Sequence, residues 1–335
     1  MSVSITDIAK HLKLSNSTVS KALNGYSDVS DQTRERVMQT AQDMGYQPSA
    51  AARSLRRGRT DKIGLFLNTS IEYVVDYLSG MIPGAVMTAQ SLEMNLLIHT
   101  ITDNDPQHLL KVCRAGEIDG VVLFSTHYDE RTIEALIADK FPFVVMGRAI
   151  SDPRVSYVVP DYYAGSYEGT QYLIELGHTR IAFTTRPELT TANEARLQGY
   201  LDALTDAGIA HDDDLIAPTY LIEDSGTRAT ETFLRLQQPP TAIFAFHDLV
   251  AVNVINTLHK QGVRIPEDIS VMGFDGLRAG FMTMPHMTTV AQPLADIGER
   301  VIKRVHERIE NPDAEATQDT LPVELIIRGS TAPPK

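Results

Sequence analysis

The chain has 335 residues and 43% hydrophobic content, which allow two or three domains with large cores. Its single cysteine, Cys113, excludes an intrachain disulfide, argues against a cysteine-based metal site and is predicted to be a buried apolar residue. The net charge of −13 argues against a whole-surface nucleic-acid binder, and without a membrane-spanning apolar run or a signal-peptide pattern we expect a soluble, cytoplasmic protein.

The first elements are two short helices joined by a tight turn. Ser4 begins a capping pattern before a helix that runs to about Leu12, and Ser15 caps a second helix that reaches Asn24. The second helix has apolar residues at helical spacing on one face, with short polar side chains and one lysine on the other. This is a helix-turn-helix arrangement, and an ordinary small bundle is the alternative. Ser30 caps a third helix.

An arginine-rich segment follows the third helix. Residues 49–59 carry four arginines and an Ala-rich run that favours helix, but the segment is too short to be a stable helix alone in water. We predict a linker that folds when docked. Residues 1–60 hold nine Lys/Arg and five Asp/Glu, against 21 and 38 in the remainder. This asymmetry favours a basic DNA-binding head on an acidic body.

From Ile63 onward, apolar runs alternate with helical segments, as in parallel sheets covered on both faces. The predicted strands are residues 63–68, 95–101, 119–124, 141–147, 180–185, 241–246 and 269–274. They form two sets that join near residues 157–161, which predicts two doubly wound subdomains with a cleft between them. Ligands of such sheets lie beyond the carboxyl ends of the strands.

The sequence resembles the LacI/GalR family of transcriptional regulators over nearly its whole length. The motifs that carry the resemblance are ITDIAKHLKLSNSTVSKALNG at 5–25, RERVMQTAQDMGYQPSAAARSL at 34–55, ELGHTRIAF at 175–183, FAFHDLVAV at 244–252, and IPEDISVMGFDG with PHMTTVAQP within 265–293. The resemblance implies an all-α helix-turn-helix head and an α/β periplasmic-binding-protein-like core of two doubly wound parallel-sheet subdomains.

The resemblance also implies the domain boundaries. The expected regions are a DNA-binding domain in residues 1–48, a hinge helix or linker in 49–61, and an effector-binding and dimerisation domain in 62–335. Within the last region, the expected subdomains are an N-subdomain of about 62–160 and 292–320 and a C-subdomain of about 161–291 and 321–330. The expected assembly is a homodimer.

By this resemblance, Asn16, Ser17 and Lys21 are the main readers of base edges in the major groove. Lys21 stands where the family often has arginine and lacks the planar fork, so its base discrimination differs. Leu55 matches the hinge leucine that each subunit of a dimer inserts into the minor groove. The full expected DNA-binding set is Ser15, Asn16, Ser17, Thr18, Lys21, Asn24, Arg53, Leu55 and Arg56. Two heads on a two-fold dimer imply a near-palindromic double-stranded operator.

Arg196 and Asp275 match family ligand positions, and a guanidinium with a carboxylate suits the vicinal hydroxyls of a sugar. His247 stands where the family commonly has asparagine, and its ring reaches differently. Gly147 stands where aspartate is often found and is followed by Arg148. This missing carboxylate beside an arginine suggests a different hydroxyl pattern or a ligand that carries negative charge. The full expected effector-binding set is Asn68, Tyr73, Phe124, Arg148, Arg196, His247, Asp275 and Gln292. Asp248 is predicted to cap the helix that follows it.

The leading hypothesis is a DNA-binding repressor controlled by a small sugar or sugar derivative. The alternative within the family is a purine or nucleoside acting as corepressor, although the chain has no tryptophan to stack on a flat base. The motifs G-x-G-x-x-G after the first strand, G-x-x-x-x-G-K-[ST], H-E-x-x-H and G-x-S-x-G are absent, so we expect no enzyme, cofactor or metal. A solute-binding protein fits the body but not the basic head.

Overall fold

The computed structural model describes residues 3–46, 58–67, 71–100, 106–124, 130–187, 190–219 and 225–335, without the side chains of residues 71–74, 106 and 225. The chain divides into two compact units, Met1–Thr60 and Asp61–Lys335. Each unit has hydrophobic core residues of its own.

The first unit is a small helical head. Its helices are α1 (Ile5–Leu12), α2 (Asn16–Leu23) and α3 (Asp31–Asp43). Each helix begins after a serine whose side chain accepts a backbone N–H of the first turn, and these caps are Ser4, Ser15 and Ser30. Lys13 has a positive φ of 55° and ends α1, which lets the chain turn tightly into α2. The predicted helices and caps are confirmed.

The second unit alternates strands and helices. In chain order its elements are β1 (Lys62–Leu67), α4 (Ile71–Ser91), β2 (Asn95–Thr100), α5 (Pro106–Arg114), β3 (Gly120–Phe124), α6 (Glu130–Ala138), β4 (Phe143–Met146), β5 (Tyr157–Pro160), α7 (Tyr162–Glu175), β6 (Ile181–Thr185), α8 (Thr191–Asp206), β7 (Ile216–Pro218), α9 (Ser225–Leu234), β8 (Ala242–Phe244), α10 (Asp248–Lys260), β9 (Ser270–Asp275), β10 (Thr288–Ala291), α11 (Leu294–Glu310), β11 (Gln318–Leu321) and β12 (Glu324–Ile326). Short 3-10 helices lie at Asp213–Leu215 and Arg278–Phe281.

The first sheet has the strand order β11-β5-β4-β3-β1-β2, and all of its strands are parallel. Alternate residues of β1 face opposite sides of the sheet: Ile63 and Leu65 pack with α4 and α11, while Phe66 packs with α5 and α6. Cys113 is buried on the α5 side, as predicted. Helices therefore cover both faces of this sheet.

The second sheet has the order β12-β10-β9-β8-β6-β7. Its strands are parallel except β12, which runs antiparallel to β10. A continuous apolar core includes the fully buried Phe233, Phe244 and Phe274. With the helical head and the two sheets, the predicted fold class is confirmed.

A close contact between α4 and α11 fixes the point where the chain returns from the second sheet to the first. A Cβ on Gly84 would lie 1.9 Å from the carbonyl oxygen of Ala295, and one on Gly298 would lie 2.2 Å from that of Met81. The two helices therefore approach each other through backbone where only glycine fits. This packing holds the start of α11 against α4.

In the part of the chain that the structure describes, none of the helices combines the length and the apolar character required to cross a bilayer.

Candidate DNA-reading helix and ligand site

The polar face of α2 is the candidate surface for reading DNA. Val19 and Ala22 are buried in the head core, whereas Asn16 and Ser17 are exposed on the other side of the helix. Asn16 Nδ2 donates to Thr6 Oγ1 over 3.3 Å, which joins the starts of α1 and α2. Short polar side chains thus line one face of α2, and the opposite face packs into the core of the head.

Other members of the predicted DNA-binding set make contacts within the head. The hydroxyls of Ser15 and Thr18 lie 2.8 Å apart at the start of α2, and Asn24 Nδ2 donates to Ser20 Oγ over 3.3 Å. Lys21 Nζ donates to a carboxylate oxygen of Asp28, in the turn after α2. This hydrogen bond raises the pKa of the Lys21 amine and lowers that of the Asp28 carboxyl. The α2 pattern alone contains no carboxylate, so sequence reasoning missed this partner.

The predicted hinge contacts Arg53, Leu55 and Arg56 lie outside the described residues.

In the second unit, the candidate ligand site centres on the carboxylate of Asp275. Asp275 is the last residue of β9, is 1% exposed and has a φ of 111°, a backbone conformation that side-chain-bearing residues rarely adopt. The structure around it holds this strain: Gln292 N donates to the Asp275 carbonyl oxygen, and Gly276 N donates to Thr289 Oγ1. Strained residues that are held in this way often mark functional sites.

The Asp275 carboxylate is surrounded by nitrogen donors. Arg196 Nη2 donates to Oδ1 over 3.1 Å, and Gln292 Nε2 donates to the same oxygen. His247 Nε2 lies 3.1 Å from the other oxygen, Oδ2, but not in line for a hydrogen bond. Arg196, His247, Asp275 and Gln292 are each at most 8% exposed. The structure therefore brings together four residues of the predicted effector-binding set.

The guanidinium of Arg196 lies against two aromatic rings. Its central carbon lies 4.4 Å from the ring centroid of Tyr162 and 4.4 Å from that of Phe274. Arg196 lies on α8, Tyr162 begins α7 and Phe274 precedes Asp275 in β9. Cation–π contacts from two different elements therefore help to hold the guanidinium beside Asp275.

The surroundings of His247 favour the neutral form of its ring. It is the N-cap of α10, where its Nδ1 accepts the backbone N–H of Leu249 over 3.1 Å. Burial lowers the pKa of His247, and the charges of Arg196 and Arg186 add to this effect against the opposing charge of Asp275. A neutral ring with Nδ1 as acceptor carries its proton on Nε2. His247 therefore presents an N–H donor beside Asp275.

Side chains of the first sheet meet this cluster. Tyr77, on α4, donates through its hydroxyl to Gln292 Oε1 over 3.1 Å, and burial raises its pKa well above the ordinary value. The Tyr77 ring stacks on Phe124, at the end of β3, with centroids 5.2 Å apart. Tyr162, whose pKa burial raises to about 12, donates to the carbonyl oxygen of Gly147, after β4, over 3.3 Å. The carboxyl edges of both sheets thus contribute to one site.

We call the contacting residues the junction cluster. Its members are Tyr77, Phe124, Tyr162, Arg196, His247, Phe274, Asp275 and Gln292. Of the remaining predicted residues, Arg148 is partly buried two residues after β4. Asn68 lies outside the described residues, as does the side chain of Tyr73, which belongs to α4.

The prediction for Asp248 is wrong. The cap of α10 is His247, and Asp248 is the first residue inside the helix. Its carboxylate instead accepts the Thr289 hydroxyl over 2.7 Å and the Leu277 N–H over 2.6 Å, so it ties α10 to β10 and to the turn after β9. The side chain is fully buried, and burial, followed by the charge of Asp275, raises its pKa well above the ordinary value.

Sequence reasoning missed Tyr162, Phe274 and the role of Tyr77 beside Gln292. Tyr162 lies two residues after β5, so the rule that ligand sites lie beyond the carboxyl ends of strands could have found it. Phe274 is inside β9 and gave no such signal. Among the described residues, no group of three or more His, Cys, Asp or Glu side chains is placed to hold a metal ion.

Comparisons with known proteins agree with this architecture. Residues 4–49 match the family described as "Bacterial regulatory proteins, lacI family", and residues 170–331 match "Periplasmic binding protein-like domain". The catabolite control protein A of Priestia megaterium is 30% identical over 335 residues, covering 99% of this chain and 100% of that protein. The ribose operon repressor of Haemophilus influenzae is 31% identical, covering 97% of each chain.

A solved structure shares the fold of the whole chain. The complex of the transcriptional regulator CelR with cellobiose has a TM-score of 0.76 and 29% identity, and the match covers 98% of this chain and 99% of that one.

Proposed function

The chain belongs to the lacI family of bacterial regulatory proteins and is a DNA-binding transcriptional regulator. From this premise we propose that it is a repressor and that a small sugar or sugar derivative controls its affinity for the operator. The observation that supports this most directly is the buried Arg196–Asp275 pair at the carboxyl edge of the second sheet. A guanidinium and a carboxylate side by side suit a ligand with adjacent oxygen atoms. Relatives named a ribose operon repressor and a CelR–cellobiose complex also support a sugar.

The aromatic residues of the junction cluster favour a sugar over a purine. A purine needs a flat ring face against its own face, but Tyr77 and Phe124 stack on each other. Tyr162 and Phe274 both lie against the Arg196 guanidinium. Within the described part of the cluster, the aromatic faces are therefore largely engaged by protein groups.

The polar face of α2 is the part of the head that we assign to the major groove. Asn16 and Ser17 are exposed there, and Lys21 has to leave Asp28 before it binds a base or a phosphate. Leu55 would insert at the operator centre from each subunit of a dimer, and the arginines around it would make flanking phosphate or groove contacts, as the family resemblance implies.

We assign the homodimer contacts to the second unit, as the family resemblance implies. Large exposed apolar side chains lie in two parts of it: Met87, 72% exposed, and Ile98 on the edge strand β2 of the first sheet, and Met282, 87% exposed, and Met284, 74% exposed, beyond the end of β9. Pairing through both parts would make the dimer sensitive to movement between the sheets.

Ligand binding would then act on DNA through the relative placement of the two sheets. The junction cluster joins them through the Tyr77–Gln292 and Tyr162–Gly147 hydrogen bonds. A ligand that inserts into the cluster favours the arrangement it binds best, and the change in dimer geometry alters how closely the two hinge segments approach.

A thermal-shift screen tests the class of ligand. The purified full chain is heated with neutral mono- and disaccharides, sugar acids, sugar phosphates and nucleosides, because a ligand of the folded state raises the melting temperature. We expect a shift with one sugar class and none with nucleosides. A shift with nucleosides alone would overturn the sugar effector and leave the DNA-binding function in place.

A further inference from the structure

The Arg196 guanidinium uses only half of a binding edge that accepts two oxygen atoms. Elsewhere in the chain, Arg114 shows the full geometry: Nε and Nη2 donate to the two oxygens of Asp139 over 2.8 and 3.1 Å. In Arg196, Nη2 donates to Asp275, but the buried Nε has no hydrogen-bond acceptor among the described residues. Because Arg196 is 8% exposed, an unmatched donor there carries a desolvation cost. The position next to Asp275 Oδ1 is therefore suited to another oxygen atom.

His247 adds a second donor at the same place. An asparagine side chain offers both a donor and an acceptor, but Nδ1 of His247 is already taken by the Leu249 N–H. Only Nε2–H is left for a ligand, and it lies beside Asp275 Oδ2 without being aligned to it. In the described part of the site, Asp275 Oδ2 is a buried acceptor with which no donor is aligned. Among the described residues, the site thus offers two N–H donors, from Arg196 and His247, and one unmatched carboxylate oxygen.

An excess of N–H donors over acceptors favours a negatively charged sugar over a neutral one. Each hydroxyl of a neutral sugar brings a proton that needs an acceptor, whereas carboxylate and phosphate oxygens only accept. Hydrogen bonds from a guanidinium to an anionic oxygen are also the stronger kind. We propose that the effector is an anionic sugar derivative, whose carboxylate or phosphate oxygens bind Arg196 Nε and His247 Nε2 while a neighbouring hydroxyl donates to Asp275 Oδ2. This inference rests on the proposed sugar-responsive function.

Matched pairs of ligands test the inference. Binding of glucuronate and glucose 6-phosphate is compared with that of glucose, and binding of galacturonate and galactose 6-phosphate with that of galactose, by calorimetry on the full-length protein. At least one anionic compound should bind about tenfold or more tightly than its neutral parent, because a hydrogen bond to a charged group contributes roughly 1.5–3 kcal/mol. Comparing the acids with the phosphates shows which anionic group the site takes.

A conservative variant tests the part assigned to His247. In His247→Asn the amide oxygen has two lone pairs, so it can cap the helix and still accept from a ligand hydroxyl; the preference for the anionic compound over its neutral parent should therefore fall several-fold. His259→Asn, an exposed histidine on the same helix, should leave the preference unchanged. An unchanged preference in His247→Asn, with the variant folded by its melting temperature, would remove His247 from this role.

Different results would contradict this inference and the proposed function. Neutral sugars that bind as tightly as their acids, or a panel in which none of the anionic compounds binds, would overturn the anionic effector. If a neutral sugar then changed operator affinity, the proposed function would stand. If no sugar of either kind changed operator affinity, the proposed function itself would be wrong.

Discussion

At the scale of single residues, Lys21 is paired with a carboxylate of its own head. Its amine binds the Asp28 carboxylate, and both side chains are about half exposed. Such a surface pair is weak, so DNA phosphates and base edges compete for the lysine readily. The pair nevertheless has to open before Lys21 reads the groove, and it places a negative charge close to the DNA-reading face.

Asp28→Asn should therefore strengthen operator binding. Removing the carboxylate frees Lys21 and removes a charge that repels phosphate, so we expect an affinity gain of about threefold to tenfold at moderate salt. The measurement is fluorescence anisotropy of a labelled operator selected from random duplexes. Asp43→Asn, which removes the same charge at the end of α3, is the matched control. Equal affinities for the two variants would show that the Lys21–Asp28 contact does not limit DNA binding.

Some residues of the ligand site could be predicted from the sequence and others could not. Arg196, His247 and Asp275 were found because they follow strands or match family motifs, and they do lie together in the structure. The orientation of the Arg196 guanidinium was not predictable, because it depends on Tyr162 and Phe274, which approach from different elements. The Asp248 prediction failed because capping preferences favour aspartate over histidine, whereas the Asp248 carboxylate accepts from Thr289 and Leu277 and leaves the cap to His247.

At the scale of elements, Asp248 joins α10 to the second sheet. It accepts hydrogen bonds from Thr289 and Leu277 while fully buried. Burial raises its pKa above the ordinary value of 3.8, so the folded protein holds this proton more tightly than the unfolded chain does. Between 3.8 and the raised pKa, the free energy of unfolding therefore falls as pH rises.

Asp248→Asn should remove this pH dependence. The amide oxygen can accept the Leu277 N–H and the amide nitrogen can donate to Thr289, so the variant keeps both contacts without an ionisable group. Urea unfolding between about pH 5 and about pH 8 should show wild-type stability falling relative to Asp248→Asn as pH rises. The exposed variant Asp296→Asn serves as the control and should follow the wild type. Parallel stability curves for wild type and Asp248→Asn would contradict the assignment.

Seven strands were predicted from their apolar runs, whereas β5, β7 and β10 to β12 were not identified. Buried parallel strands such as β3 and β9 are short, continuous apolar runs, and the sequence shows them directly. The long helix α4 and the helix α11 were not identified. The pairing of these helices depends on Gly84 and Gly298, which sequence propensity counts as unfavourable for helix. The reason for these glycines is the backbone contact, which appears only in three dimensions.

At the scale of the whole molecule, the two units have separate tasks. The head presents polar side chains on α2, and the second unit gathers buried charged groups at the carboxyl edges of its sheets. The hinge residues that would couple the units, Leu55 among them, lie outside the described residues, so their role stays a prediction from the family resemblance. The central claim is that a ligand at Asp275 changes the affinity of the head for DNA.

The most direct test measures operator affinity with and without the tightest ligand found in the screen. Wild-type protein and Asp275→Asn are compared by anisotropy, since asparagine keeps the size of the side chain but loses the charge that pairs with Arg196. We expect saturating ligand to change the operator affinity of the wild type about tenfold or more. The same ligand concentration should leave the operator affinity of Asp275→Asn unchanged. A bound ligand without effect on wild-type operator affinity, or an equal response in both proteins, would contradict this expectation.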